Sequence, residues 1–178
     1  MFKLPVHTPR TTIRLPVRTD MRSWCALDRS KLVRQFLNGP LCRQADEQWK
    51  LMQLTFRQKP ISQFAIIAND SNDFIGQCGF LCSTAAPNDV EFCCALRRKY
   101  WREGFAGEIS TAMLTEAFST LKVGRVTGIV DPDNQASIEL VTRLGFRHKG
   151  NYDADDWKRG HFIFRLSAQI MKPDRPCA

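Results

Sequence analysis

The sequence predicts a mixed α+β domain built on a central sheet of about seven strands. Three observations predict it. Short apolar runs such as Thr12–Arg18 and Phe74–Leu81 are bounded by polar turn clusters. Between such runs lie longer stretches whose apolar residues recur every three or four positions, as Trp24, Leu27, Leu32 and Phe36 do. The two kinds of segment fill a chain of 178 residues, a length that favours one core over two.

Taken in order, Thr12–Arg18 alternates apolar with polar residues and reads as an edge strand that tolerates Pro16. A helical pattern from Arg22 to Leu37 stops at Asn38-Gly39-Pro40, and a second, Asp46 to Phe56, is closed by Pro60. Phe64–Ala68 and Phe74–Leu81 are strands joined by the turn Asn69–Asp73. The next strand, Val90–Leu96, is apolar except for Glu91, the composition of a strand buried on both faces. A glycine-bearing loop leads into a helix from Phe105 to Leu121, followed by a fifth strand, Val126–Val130. The turn Asp131-Pro132-Asp133-Asn134 ends in a good N-cap, and its helix runs to Leu144 with Gly145 as the stop. Phe146–Gly150 and His161–Leu166 read as a final strand pair around the acidic loop Asp153–Asp156. Residues 1–11 and 169–178 are left as tails around a single domain, 12–168.

Composition narrows the function classes. Hydrophobic residues are 43% and charged residues 25% of the chain, the balance of a soluble globular protein. The formal net charge of +8 suits a phosphate-bearing partner, whether nucleic acid, an acidic protein or a phosphorylated cofactor. The basic residues are scattered and no nucleic-acid-binding motif is present, so nucleic-acid binding ranks last. Seven cysteines, an odd number with two adjacent in an apolar run, do not read as a disulfide framework. Cys78 and Cys82 lack the second half of a zinc site, so no metal is expected. The cysteines are expected to be reduced thiols and the protein cytoplasmic. No segment approaches the ~20 apolar residues of a membrane span, and Met-Phe-Lys-Leu-Pro lacks the apolar core of a signal peptide.

The chemistry concentrates in Ala95–Glu108. A strand ends at Leu96, a basic loop follows, and Gly104 and Ala106 open a helix. A helix N-terminus offers unpaired N–H groups and partial positive charge, which suit a diphosphate. Arg97, Arg98, Lys99 and Arg102 add charge beside it. An ordinary strand-to-helix connection with a solvated basic face has the same outward form. Upstream, Glu91 is the one charged residue in its strand, so partial burial would raise its pKa and fit it to act as a base; a solvent-facing strand end or an arginine partner would explain it equally.

Trp101-Arg-Glu-Gly104-Phe105-Ala106 resembles the acetyl-CoA loop of the GNAT superfamily of N-acetyltransferases, Gln/Arg-x-x-Gly-x-Gly/Ala, in the Trp-x-x-Gly-Tyr-Ala form of the Rim-type ribosomal-protein branch. Thr12–Arg18, Phe74-Ile-Gly76 with Gly79-Phe80, Val90–Leu96, and Asn134-Gln-Ala-Ser137 through Leu144-Gly145-Phe146 resemble that branch's other blocks in its order. The resemblance implies a GNAT fold with a mostly antiparallel sheet and about four flanking helices. It implies acetyl-CoA as cosubstrate and an amine acceptor, either a protein N-terminal α-amine or a small molecule, attacked directly in a ternary complex. Carried over, the pantetheine arm meets Leu96 and Arg97, and the diphosphate meets Arg102, Glu103, Gly104, Phe105, Ala106 and Gly107. Asn134 contacts the arm, although N-capping explains it as well, and Ser137 steadies the departing thiolate. The branch's habits also suggest a homodimer.

Other readings accompany this one. Cys93 shares a strand face with Glu91, so an acetyl-cysteine route is conceivable, but two buried cysteines acting as small hydrophobes is the favoured reading. The three histidines read as structural, Trp49 or Phe56 is a candidate for the acceptor groove, and the acidic loop for attracting a cation. A non-catalytic acyl-CoA-binding module that kept the loop and lost turnover is the alternative function.

Overall fold

A computed structural model of the chain describes residues 3–37, 41–42, 44–58, 63–82, 89–120, 122–152 and 161–168. It opens with a short hairpin, β1 (Val6–His7) against β2 (Thr11–Arg14), paired Val6 to Ile13 and His7 to Thr12. The expected first strand is therefore shorter, and it is an inner strand. Pro16 has no N–H for a ladder, and β1 takes the edge, from residues whose two-residue run is too short to show a period.

The helical stretch expected from Arg22 to Leu37 is two helices, α1 (Met21–Asp28) and α2 (Lys31–Arg34). Between them Ser30 takes extended dihedrals and its carbonyl accepts the Val33 and Arg34 N–H groups, as suits a residue type that favours caps over helix interiors. Helix α3 (Ala45–Gln58) follows. Cys25 in α1 is disulfide-bonded to Cys42, with the Cα atoms 5.2 Å apart. This corrects the expectation of reduced thiols throughout. Packing alone brings the two residues together, across a sequence separation of 17, and no spacing motif announces it. Cys78, Cys82, Cys93 and Cys94 are free.

Strands β3 (Gln63–Ala68), β4 (Phe74–Cys82) and β5 (Val90–Leu96) continue the sheet antiparallel to one another. Helix α4 (Phe105–Ser119) leads to β6 (Arg125–Val130), α5 (Gln135–Arg143), β7 (Arg147–Tyr152) and β8 (His161–Ser167). One eight-stranded sheet results among the described residues, ordered β1-β2-β3-β4-β5-β6-β8-β7, with β5–β6 its parallel pair. Phe64, Ile66 and Ala68 of β3 pack into a core shared with Ile109, Met113 and Leu114 of α4, while Ala65 and Ile67 face a second core with Met21 and Trp24 of α1. Both faces of β3 are covered, hence its unbroken apolar run. The acidic loop Asp153, Asp155, Asp156 lies outside the described residues. No helix among them is long and apolar enough to cross a membrane.

The sheet divides at one place. β5 and β6 pair at Val90 with Val126 and Glu91 with Thr127 and nowhere beyond, while β5 stays paired to β4 up to Leu96 and β6 to β8 up to Val130. The two halves therefore splay apart toward the C-terminal ends of the parallel strands. This is why β5 is only half-buried from Val90 to Ala95, where burial on both faces was expected. The root of the split is clasped by Asp89, 3% exposed, whose carboxylate accepts from Arg125 Nε at 2.9 Å and Thr127 Oγ1 at 3.0 Å and lies 3.2 Å from Arg165 Nε. Asp89→Ala is expected to cost about 2–3 kcal/mol, the scale of losing hydrogen bonds to a charge, and a urea unfolding curve will read it as a lower midpoint.

Candidate active site

A cavity of about 1010 Å³ opens where β5 and β6 part, and its walls include Glu91, Cys93 and Ala95 of β5, Gly128 of β6, and Asn134 and Ser137. Trp24 of α1 and Phe36 extend it over the β4–β5 surface. Trp49 instead packs against the second core, and the Phe56 side chain lies outside the described residues.

Glu91 is half-buried in this cavity and makes no hydrogen bond or ion pair with any described residue. Burial pushes its carboxyl up to about 7, because the interior disfavours the charged form. Cys93 lies on the same face, since Glu91 opposes Leu81, Cys93 opposes Gly79 and Ala95 opposes Gln77. Burial is the main cause that lifts the Cys93 thiol to about 11, and with it Cys94, beside Cys93, to about 12. Thiols held there stay protonated at neutral pH and are poor nucleophiles.

The loop after β5 is tied down from several sides. The Trp101 indole donates to the Leu96 carbonyl at 2.7 Å, and the Arg97 N–H donates to the Ile75 carbonyl at 2.8 Å. Arg97 Nη1 also donates to Phe74 O at 3.1 Å. A tryptophan at position 101 thus anchors the loop to the strand that precedes it. Arg102 and Gly104 both take left-handed dihedrals, φ +62° and +82°. Gly104 is the N-cap of α4, and no side chain caps the helix. The N–H groups of Phe105, Ala106 and Gly107 accordingly have no partner within the helix, and their dipoles favour an anion there.

Arg10 braces this helix start, and nothing in the sequence marked it. It donates through Nε to Glu108 Oε2 at 2.7 Å and through Nη1 to the Glu103 carbonyl at 2.8 Å, and its guanidinium stacks on the Phe105 ring, 4.0 Å from the centroid. The two segments are 98 residues apart in sequence, beyond any local pattern. Lys99 pairs with Asp73 at 3.2 Å, so part of the loop's basic charge is already balanced.

Across the split, Asn134 Oδ1 accepts the Ser137 N–H at 3.2 Å. This is the expected N-cap, and both residues line the cavity. Further groups line the space that the sequence did not single out. His161, read as structural, is 3% exposed and 3.9 Å from Asp131, and both line the cavity. Gln77 is a polar residue in an apolar strand, the same kind of signal that singled out Glu91. Among the described residues no cluster of His, Cys, Asp or Glu has the makings of a metal site.

Comparison with known proteins agrees with this geometry. The family model described as an acetyltransferase (GNAT) domain matches residues 10–147. An uncharacterised N-acetyltransferase, p20 of Bacillus licheniformis, is 26% identical over 170 residues, covering 94% of this chain and 96% of that protein. Among solved structures, the spermidine N-acetyltransferase of Vibrio cholerae in complex with CoA and spermine superposes with TM-score 0.77 at 16% identity, over 89% of this chain and 96% of that one. The ribosomal-protein-S5-alanine acetyltransferase of Vibrio fischeri does so with TM-score 0.76 at 16% identity, over 94% and 98%. The splayed sheet, the uncapped helix after it and the family match define an acyltransferase. The chain belongs to the GNAT acetyltransferase family.

Proposed function

We propose that this chain transfers the acetyl group of acetyl-CoA to a primary amine, with a protein or peptide N-terminal α-amine as the preferred acceptor, by direct attack in a ternary complex. The observation that carries this reading is Glu91, a carboxylate with no hydrogen bond or ion pair among the described residues, inside the cavity that opens where β5 and β6 part.

The residues present fit the donor. The edge of β5 beyond Glu91 has no strand partner on the β6 side, so an amide-bearing pantetheine arm has main chain to run along, ending at Leu96 and Arg97. The main chain from Arg102 through Glu103, Gly104, Phe105, Ala106 and Gly107 holds the diphosphate, with the uncapped N–H groups of the α4 start as donors and Gly104 admitting close approach where a side chain would strain the backbone. The Asn134 amide donates to the arm. When bound, acetyl-CoA supplies a thioester carbonyl, which a strand N–H of β5 polarises.

The chain's own residues handle the proton. Glu91 stands four residue steps along β5 from Ala95, the residue next to the arm, ~13 Å at 3.3 Å each. Glu91 therefore takes the amine's proton through a chain of ordered waters along the cavity rather than by direct contact. The amine nitrogen bonds to the acetyl carbon, the C–S bond breaks, and the Ser137 hydroxyl donates to the departing thiolate. The high pKa of Cys93 favours this direct route over an acyl-cysteine.

Charge favours an α-amine. The carboxylates around the cavity, Asp28, Glu47, Glu91 and Asp131, are accompanied by Arg34, 3.5 Å from Asp28, by Lys50, and by His161, 3.9 Å from Asp131. A polyamine with several positive charges calls for more uncompensated carboxylates than this, whereas an α-amine, with pKa near ~8 against ~10.4 for lysine, is more easily neutralised. Thiol release from acetyl-CoA, measured with alanine- and serine-initiated peptides, an N-blocked lysine peptide and spermidine, is expected to be at least about tenfold faster with the free α-amines, the difference their lower pKa permits. Release no faster than background with every amine would overturn the reading.

A further inference from the structure

We infer that Gln77 is the residue that holds the acceptor amine, an inference that rests on the proposed acetyl transfer and adds an acceptor subsite to it. Gln77 is 7% exposed and lines the cavity, and its Oε1 is buried without a hydrogen-bond partner among the described residues. A buried carbonyl oxygen left unbonded is costly, and a hydrophobic residue would fill the same space without that cost. The orphan oxygen therefore marks a place where something else supplies the donor.

Its position says what that donor is. Gln77 lies directly across the ladder from Ala95, the residue next to the proposed end of the pantetheine arm. It also lies on the face that carries Cys93 and Glu91, beneath Trp24 and Phe36 of the cavity wall. The group that comes to the thioester from that side is the acceptor nitrogen. A neutral primary amine has two N–H bonds and one lone pair. One N–H donates to Gln77 Oε1, the other to the first water of the chain that leads to Glu91, and the lone pair is left directed at the acetyl carbon. As the N–C bond forms and the C–S bond breaks, the amine's water-facing proton passes along the waters to Glu91, and Glu91 releases it back through solvent to the thiolate, which Ser137 holds by a hydrogen bond, so that the products are the amide and free CoA thiol and the carboxylate is restored. A secondary amine has one N–H and cannot serve both partners. Gln77 is thus a specificity device for primary amines.

The test compares the full chain with its Gln77→Leu and Gln77→Glu variants, using an alanine-initiated hexapeptide and its N-methylalanine counterpart. The wild type is expected to prefer the primary amine by about 10–100-fold in kcat/KM, the scale of one buried hydrogen bond. Gln77→Leu should lose most of that preference, mainly through acceptor KM, with the KM for acetyl-CoA unchanged. Its melting temperature should be equal or higher, because no side-chain hydrogen bond to a described residue is lost. Gln77→Glu, which keeps an acceptor oxygen, should retain more of the preference than the leucine variant. If the wild type turns over and Gln77→Leu keeps the full preference, this inference fails and the proposed function stands. A lowered melting temperature with equal losses on both peptides would assign Gln77 a structural role and overturn it too. Turnover of neither peptide by the wild type would overturn the inference and the α-amine reading together.

Discussion

Glu91→Gln is expected to lower acetyl transfer by about 10²–10⁴-fold, the range a positioned general base supplies, while leaving acetyl-CoA binding intact. The isosteric amide keeps the shape of the cavity wall and removes the proton acceptor. The pH profile should change with the rate. Burial holds the Glu91 carboxyl at about 7, so kcat/KM of the wild type rises as pH passes through that value and the carboxylate forms. In the variant this limb disappears, and only the ionisation of the acceptor amine, near ~8 for an α-amine, remains. Stability should move the opposite way. A carboxyl raised above its ordinary value of 4.5 binds more protons in the folded than in the unfolded state between 4.5 and about 7. Stability is therefore lost as pH rises through that window, and the charge is a burden above it. Glu91→Gln should melt higher than the wild type at pH 8, with the difference vanishing toward pH 4.5. A variant that keeps its rate and its limb near 7 would remove Glu91 from the mechanism.

The second large effect is expected at Gly104. Its φ of +82° is open to glycine and costs an ordinary residue about 1–2 kcal/mol, more for a β-branched one. A Cβ there would also stand 3.4 Å from Nη2 of Arg10, the side chain whose Nε and Nη1 brace the loop. Gly104→Val is expected to lower the melting temperature by a few degrees, at ~2–4 °C per kcal/mol for a chain of this size. It should also raise the KM for acetyl-CoA by roughly tenfold or more, because re-aiming the N–H groups loses at least about one charge-assisted hydrogen bond. Gly124→Ala is the control, since a Cβ at Gly124 meets nothing within 4 Å. Equal acetyl-CoA KM values for Gly104→Val and the control would show that the helix N-terminus does not hold the diphosphate.

What was legible in the sequence was whatever short-range physics dictates. Period-two and period-3.6 patterns marked most elements, Asn134 announced its own N-cap, and Glu91 stood out because a lone carboxylate in an apolar strand needs a reason. Seven strands were expected where eight form, because β1 is two residues long and has no period to read. Ser30 breaks a helix whose apolar spacing runs straight through it, so the hydrophobic pattern alone could not show the break. The features missed at the site arise from contacts made in the fold. Arg10 reaches Glu108 across the sheet edge, Cys25 meets Cys42 through packing of α1 against the chain before α3, and the split between β5 and β6 appears only when both strands have been paired. Gln77 carried the same signal as Glu91 and was passed over because a neutral amide in a strand is easier to satisfy than a carboxylate. Its orphan oxygen could be seen only with its neighbours in place.

The most direct test of the account is thermal unfolding of the wild-type chain with and without acetyl-CoA. At 100 times the dissociation constant a ligand that binds only the folded state adds about 2.7 kcal/mol, roughly 5–10 °C for a protein of this length. The account predicts an upward shift on that scale with acetyl-CoA, and a clearly smaller one with dephosphorylated pantetheine, which lacks the diphosphate. An unchanged melting temperature at millimolar acetyl-CoA would contradict it, for the cavity between β5 and β6 would then not be the donor site.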